Sequence, residues 1–235
     1  MSSGFQCKQF YIAHDQCAMK VSTDALLLGA WVQLPASGNL LDIGAGSGII
    51  SLMLAQRCAG KLPVVAVELD SSAAAQAAVN VQQSPWPDAI RVIKGDILTH
   101  QCAEGYSLIV SNPPFFQQRL AAVDPLRHQA RHNDSLPFAA LLQQARHLLR
   151  PGGRFELILP VAEAEIFTVL AQQQGWFLYR YDEVFTTPDK AAGRILMSWQ
   201  RESADTQTGQ LQIRQADGAY TTQYRRLLRD FYLKF

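Results

Sequence analysis

The 235-residue chain contains no apolar run of about 18 residues, the length that a membrane-spanning helix needs. Its opening stretch, MSSGFQCKQFYIAHDQ, has no apolar segment of signal-peptide length. Neither sign of charge dominates: 21 Lys and Arg stand against 20 Asp and Glu, so no global field draws the chain to nucleic acid or to a lipid surface. Cysteine is scarce and scattered. Cys7, Cys17, Cys58 and Cys102 form no Cys-x-x-Cys pair and have no His at ligand spacing, which argues against a structural zinc. His128 and His132 stand four apart but have no evident third ligand, so no metal is expected. These absences point to a soluble cytoplasmic protein with reduced thiols, without a membrane or a stable protein partner.

What is present is alternation. NLLDIG, PVVAVEL, IRVIKGD, SLIVSN and RFELILP are short, β-branched or apolar runs, and helical patterns lie between most of them. SGIISLMLAQRC spaces its apolar residues for a helix, SAAAQAAVNVQQ is rich in Ala, and Leu136 to Leu149 reads as a helix that stops at RPGG. After the helix VAEAEIFTVLAQQQ, the runs WFLYRYDEVF and RILMSWQR follow without a helix between them. The expected fold is α/β, a mostly parallel sheet with helices on both faces and an antiparallel pair at one edge. One domain over residues 1–235 suffices at this length.

Three features would meet at the carboxyl ends of the first strands, where open α/β sheets bind ligands. Gly44, Gly46 and Gly48 lie in LDIGAGSG, between a strand and its helix, where glycines admit a ligand close to the backbone and leave helix N-terminal amides to face it. Their spacing is Gly-x-Gly-x-Gly, not the dinucleotide fingerprint. Glu68 ends the next strand and could accept hydrogen bonds from ribose hydroxyls; Asp96, after the third, could accept from an adenine amine. Either acid could instead cap a helix, but the three together favour a nucleoside ligand.

A fourth strand, SLIVS, ends in Asn112-Pro113-Pro114-Phe115. Prolines cannot donate to a sheet ladder, and two in succession hold the Asn side chain and nearby carbonyls as rigid acceptors. An aromatic ring beside them can stack on a planar base. Such acceptors suit an amine conjugated to a ring or carbonyl, which they favour in a pyramidal form able to attack a methyl donor.

In this order, LDIGAGSG, VVAVELD, KGDI and SNPPF resemble the class I S-adenosylmethionine-dependent methyltransferases that act on exocyclic or amide nitrogens. With QFYIAHDQCAMKVSTDALLLGAW, ELDSSAAAQAAVNVQQSPW, RHQARH and AYTTQYRRLLRDFYLKF, the whole chain resembles the bacterial family that methylates N6 of adenosine 37 in the anticodon loop of a valine tRNA. The resemblance implies a seven-stranded Rossmann-like sheet with one antiparallel strand, and a segment of about residues 1–37 closing over the donor. By position it puts Gly44, Gly46 and Gly48 along the donor's methionine part, Glu68 at its ribose, and Asp96 with Ile97 at its adenine. Lys20, Thr23, Asp24, Asp42, Ala45, Leu69 and Asn112 join the donor site. Asn112 and the Pro113 carbonyl would hold the target amine, with Pro114 keeping the turn and Phe115 stacking on the base. Phe115 stands where close relatives often carry Tyr, and Phe here also occurs in guanine-N2 methyltransferases of ribosomal RNA. That activity, and methylation of a glutamine amide on a protein, stay open as alternatives, as does a fold that only binds RNA. Arg119, Arg127, His128, Arg131 and His132, and separately Tyr224, Arg225, Arg226 and Arg229, are the regions that could hold tRNA.

Overall fold

Leu40–Ile43 is buried at every position, as a central strand covered on both faces must be. A computed structural model of the chain describes residues 4–17, 19–113 and 137–234. In it, β1 (Gly4–Gln6) and β2 (Tyr11–Ala13) pair antiparallel as a small separate ribbon, followed by α1 (Thr23–Trp31). The main sheet then builds from β3 (Leu40–Ile43), β4 (Val64–Glu68), β5 (Ile90–Lys94) and β6 (Tyr106–Ser111), with α2 (Ile49–Arg57) and α3 (Ser71–Gln82) as crossovers. A short 3-10 turn, Ile97–Thr99, precedes β6. Beyond it lie α4 (Phe138–Leu148), β7 (Leu149–Pro160), α5 (Val161–Gln173), β8 (Phe177–Phe185), β9 (Arg194–Gln200), β10 (Gln207–Gln212) and α6 (Thr222–Leu228).

Across the sheet the order is β10-β8-β9-β7-β6-β3-β4-β5. From β3 the chain steps outward to β4 and β5, and then starts again at β6 on the other side, so a crevice opens between β3 and β6 at the strands' carboxyl ends. Local chemistry places the helices around it. Ser22 caps α1 by accepting from the Ala25 amide, and Asp70 caps α3 by accepting from the Ala73 amide at 2.8 Å; each such cap is worth about 1 kcal/mol.

Two apolar layers clamp the sheet. On one face Leu26, Leu28, Leu52, Met53 and Tyr224 pack beneath α1, α2 and α6. On the other, α4 and α5 cover Phe155, Leu157 and Trp199. There Phe167 meets Phe138, Phe155 and Trp199 with ring centroids 5.2, 6.1 and 6.1 Å apart, contacts worth about 0.5–1.5 kcal/mol each beyond burial.

The sheet has eight strands where seven are expected. The added strand, β10, pairs parallel to β8 at the edge. Its sequence, QTGQLQ, buries only Leu211, so hydrophobic patterning is nearly silent there. The helix-less pair β8 and β9 is antiparallel as expected, with β9 inserted between β7 and β8 and β10 added outside β8. Residues Ile195 to Trp199 are all buried, and only an interior position covers a run that is apolar on both faces.

Candidate active site

Register assembles the site. Ile43 pairs with Val67 on one side and with Ser111 on the other, so the next residues, Gly44, Glu68 and Asn112, emerge side by side at the crevice. Glu68 pairs in turn with Lys94, which brings Asp96 to the same edge two residues later. The four sequence features therefore converge as the strand order requires.

The glycine turn behaves differently from expectation. Gly44, Gly46 and Gly48 all have positive φ, at 71, 54 and 84°, which non-glycine residues rarely adopt. A Cβ on Gly44 or Gly46 would meet nothing within 4 Å, whereas one on Gly48 would touch the Cβ of Ala77 at 3.4 Å. The first two thus leave open volume, and the third permits close packing of α2 against α3. The turn's amides are also largely committed: Gly44 and Ala45 donate to the Val67 carbonyl, Gly46 to Glu68, and Gly48 to the Ala45 carbonyl. What the turn offers a ligand is space more than amide donors.

Glu68 is the brace of that turn. Its Oε2 accepts from the Gly46 amide at 2.8 Å and its Oε1 from the Asp70 amide at 2.8 Å. A carboxylate has about four acceptor directions, so two remain for a ligand. Asp42 sits fully buried under the turn and takes both the amide and the hydroxyl of Ser51 on Oδ2, at 3.0 and 2.6 Å, tying β3 to α2. Its observed work is that of a strut, and burial pushes its carboxyl up to about 7 against the pull of the Ser51 bonds. Asp96 caps the 3-10 turn by accepting from the Leu98 amide, and Ile97 is buried in the core beneath. Leu69 and Leu98 are 61% and 41% exposed, two large apolar side chains left bare beside the two acids. Leu98 was not among the expected site residues; in the sequence it is one more apolar residue in a turn.

At the end of β6 the Ser111 hydroxyl donates to the Ile43 carbonyl at 3.0 Å, fastening the two strands where the crevice begins. Asn112 follows, its Oδ1 buried and without a partner among the described residues. Leaving a buried acceptor unsatisfied costs about 1–3 kcal/mol, an arrangement that suits a group meant to meet a ligand. Pro113 is buried; Pro114 and Phe115 lie outside the described residues, as do Arg119, Arg127, His128, Arg131 and His132.

Lys20 and Thr23 are exposed, while Asp24 pairs with Arg194 of β9 at 2.8 Å. Asn80 was missed by sequence reasoning. Buried on α3, it donates to the carbonyls of Ala13 and Ser47 and accepts from the Ala13 amide, so one side chain ties the N-terminal segment to the glycine turn. Its one sequence signal is an Asn within an otherwise Ala-rich helix. At the far end of the chain, Tyr224 is turned into the core, 1% exposed, its hydroxyl 3.1 Å from that of Tyr232. Arg225, Arg226 and Arg229 stay on the surface.

Among the described residues no His, Cys, Asp or Glu group could hold a metal ion, and no helix is long and apolar enough to cross a membrane. All four cysteines are free thiols.

Comparison with known proteins bears on the chain as a whole. A family model described as the methyltransferase small domain matches residues 17–173. The tRNA1(Val) (adenine(37)-N6)-methyltransferase of Serratia proteamaculans is 47% identical over 233 residues, covering 98% of this chain and 90% of that protein. The protein of the same name from Tolumonas auensis is 44% identical, covering 98% and 97%. Among solved structures, a predicted O-methyltransferase from Agrobacterium tumefaciens superposes with a TM-score of 0.67 at 18% identity, covering 88% of this chain and 96% of that one. The glycopeptide N-methyltransferase MtfA, solved with S-adenosylmethionine, gives 0.54 at 15%, covering 75% and 93%. The two structures share the fold with this chain, and the two sequence relatives match it almost end to end; the chain belongs to the methyltransferase small domain family.

Proposed function

We propose that the protein transfers the methyl group of S-adenosylmethionine to N6 of adenosine 37 in the anticodon loop of a valine tRNA. The observation that carries this reading is the buried Asn112 Oδ1, without a partner among the described residues, beside an open glycine cradle and a braced carboxylate. The name shared by near full-length relatives supports the choice of nucleotide and tRNA.

The residues fit the donor. Gly44 and Gly46 leave the volume its methionine part would fill, and the unused acceptor directions of Glu68 suit its ribose hydroxyls. Asp96 and the exposed Leu69 and Leu98 offer an acceptor and an apolar bed for its adenine. When bound, S-adenosylmethionine supplies an electrophilic methyl group. The protein's own part is acceptor placement. Asn112 Oδ1 and the Pro113 carbonyl would take the two hydrogens of the target amine, which turns the nitrogen lone pair out of conjugation and toward the methyl group. Phe115 would stack on the flipped base. The N-terminal segment, about residues 1–37, would close over the donor as part of a single domain, a role supported by the Asn80 bridge between Ala13 and Ser47. A tRNA substrate supports a cytoplasmic location, with Arg119, Arg127, His128, Arg131, Arg225 and Arg226 as candidate phosphate contacts.

The test is nucleoside mass spectrometry of unmodified valine tRNA after incubation with the protein and S-adenosylmethionine. N6-methyladenosine at position 37, lost when that adenosine is replaced by guanosine, is the expected product. N2-methylguanosine in ribosomal RNA, or a methylated glutamine on a protein, would transfer the assignment to one of the alternatives.

A further inference from the structure

A second cavity, of about 280 Å³, opens between α1, α6 and the ends of β8, β9 and β10, and Thr23 and Asp24, expected at the donor, line this cavity. It lies at the same edge of the sheet as Asn112. Ser111 pairs with Leu157 and Leu157 with Met197, while Arg194 pairs with Pro160, three residues further along. With a strand rise of about 3.3 Å and a strand spacing of about 4.8 Å, Arg194 stands roughly 14 Å from Ser111. The floor is apolar, made by Leu27, Val184 and Ile213. The rim is polar and held in place. Arg194 is fixed by Asp24 at 2.8 Å and by the Gly193 carbonyl at 2.8 Å. Arg214 lies 4.3 Å over the ring of Tyr220, which stacks on Tyr224 with centroids 5.0 Å apart. Hydrogen bonds from Arg214 to the Gly218 carbonyl and the Tyr220 hydroxyl fix the guanidinium plane at the end of this stack.

A fixed guanidinium plane, a second cation, a carboxylate and an apolar floor match a planar heterocycle with polar edges that carries an anion. Unstacked RNA bases stack on arginine planes in this manner, and arginines meet their phosphates. The volume is near the lower limit for ligand pockets, about 300 Å³, which suits one nucleoside and excludes a second cofactor-sized molecule. From this geometry we propose that the cavity is a second base pocket, which receives a splayed nucleotide of the same RNA loop while the target adenine is at Asn112. The proposal rests on the tRNA substrate inferred above, and it makes Arg214 a substrate-positioning residue that sets loop preference.

Binding tests it independently of methylation. A fluorescently labelled anticodon stem-loop is titrated by anisotropy with each loop nucleotide replaced in turn by an abasic unit. Wild-type protein should show one position besides the target where the abasic change weakens binding on the order of 10-fold, the effect of losing one stacked base. Arg214→Gln should weaken the intact loop by a similar factor and make that position indifferent to the abasic change, while the protein stays folded at the assay temperature, its melting point lowered only by the lost bonds to Gly218 and Tyr220. Arg214→Lys should keep the salt dependence yet lose the coupling, because the ammonium has no plane to stack on. Additive effects of Arg214→Gln and the abasic change, or an Arg214→Gln protein that binds as wild type does, would overturn the pocket. Intact coupling without N6-methyladenosine would overturn the proposed activity alone. A wild-type protein that binds no stem-loop overturns both.

Discussion

The carboxylate of Glu68 holds the amide of Gly46, 22 residues earlier in the chain, at 2.8 Å through Oε2. Its other oxygen holds the Asp70 amide, so the residue expected at the donor's ribose also sets the shape of the turn expected at the donor's methionine part.

Removing Glu68 should therefore act twice. Glu68→Ala loses acceptor directions for the donor and the brace of the turn together. Donor affinity should fall by about 1.5–3 kcal/mol, the range for hydrogen bonds to a charged group, and the melting temperature should fall as well. Calorimetry and a thermal melt on the same preparation measure both. Unchanged donor affinity would remove Glu68 from the site even if stability dropped.

The glycines should separate. Gly46→Ala and Gly48→Ala both force a left-handed backbone on a residue with a Cβ, at a cost of about 1–2 kcal/mol each. Only Gly46→Ala also fills the open cradle, so it should lower donor affinity much more than Gly48→Ala, whose Cβ meets Ala77. Equal losses of affinity at equal losses of stability would mean that the cradle is not where the donor lies.

Asn112→Ala should cost about 10² to 10³ in kcat with little change in KM for tRNA, because its acceptor is worth most as the amine becomes pyramidal. Phe115→Ala should instead act mainly through target affinity, at roughly 1–3 kcal/mol for a lost stacking ring. Single-turnover kinetics with saturating donor distinguish them. Normal turnover with poor tRNA binding in Asn112→Ala would reassign the residue to binding.

Stability should decrease as pH rises from about 4.5 toward 8. Burial pushes the Glu156 carboxyl up to about 7, against the pull of Arg154 and its bonds to Ser198 and Gln33, and Asp42 rises to about 7 likewise. Each folded carboxyl holds its proton more tightly than in the unfolded chain. Their favourable contribution is thus fully present below the unfolded values, near 4, and is lost as pH passes through 7. One such group limits the slope to about 1.4 kcal/mol per pH unit. Urea unfolding across this range, in wild type and in Glu156→Gln, reads it directly: the variant should show a shallower decline. A rise in wild-type stability over the same interval would mean that the charged carboxylates are better compensated by their neighbours than their burial suggests.

Much of this architecture is local information. Short apolar runs announced β3 to β7, and helical spacing announced α2 to α5, because a strand or helix that must bury one face writes that period into its residues. The glycine turn, the two acids and Asn112 were visible for the same reason: each sits where a strand ends, and strand ends are punctuated. Tertiary structure alone decided the rest. Asp24 meets Arg194 across 170 residues, and Trp31 meets Asp182 across 151. No local pattern encodes either partnership. The insertion of β9 between β7 and β8 depends on which edge remains unpaired once the earlier strands are placed, and the Gln-rich β10 carries too little apolar signal to be seen before β8 offers it an edge. Composition can likewise mark Tyr224 as aromatic among arginines, but only packing against Tyr220 and Tyr232 turns it from the surface into the core, since burial belongs to the neighbours that the fold brings and not to the residue itself.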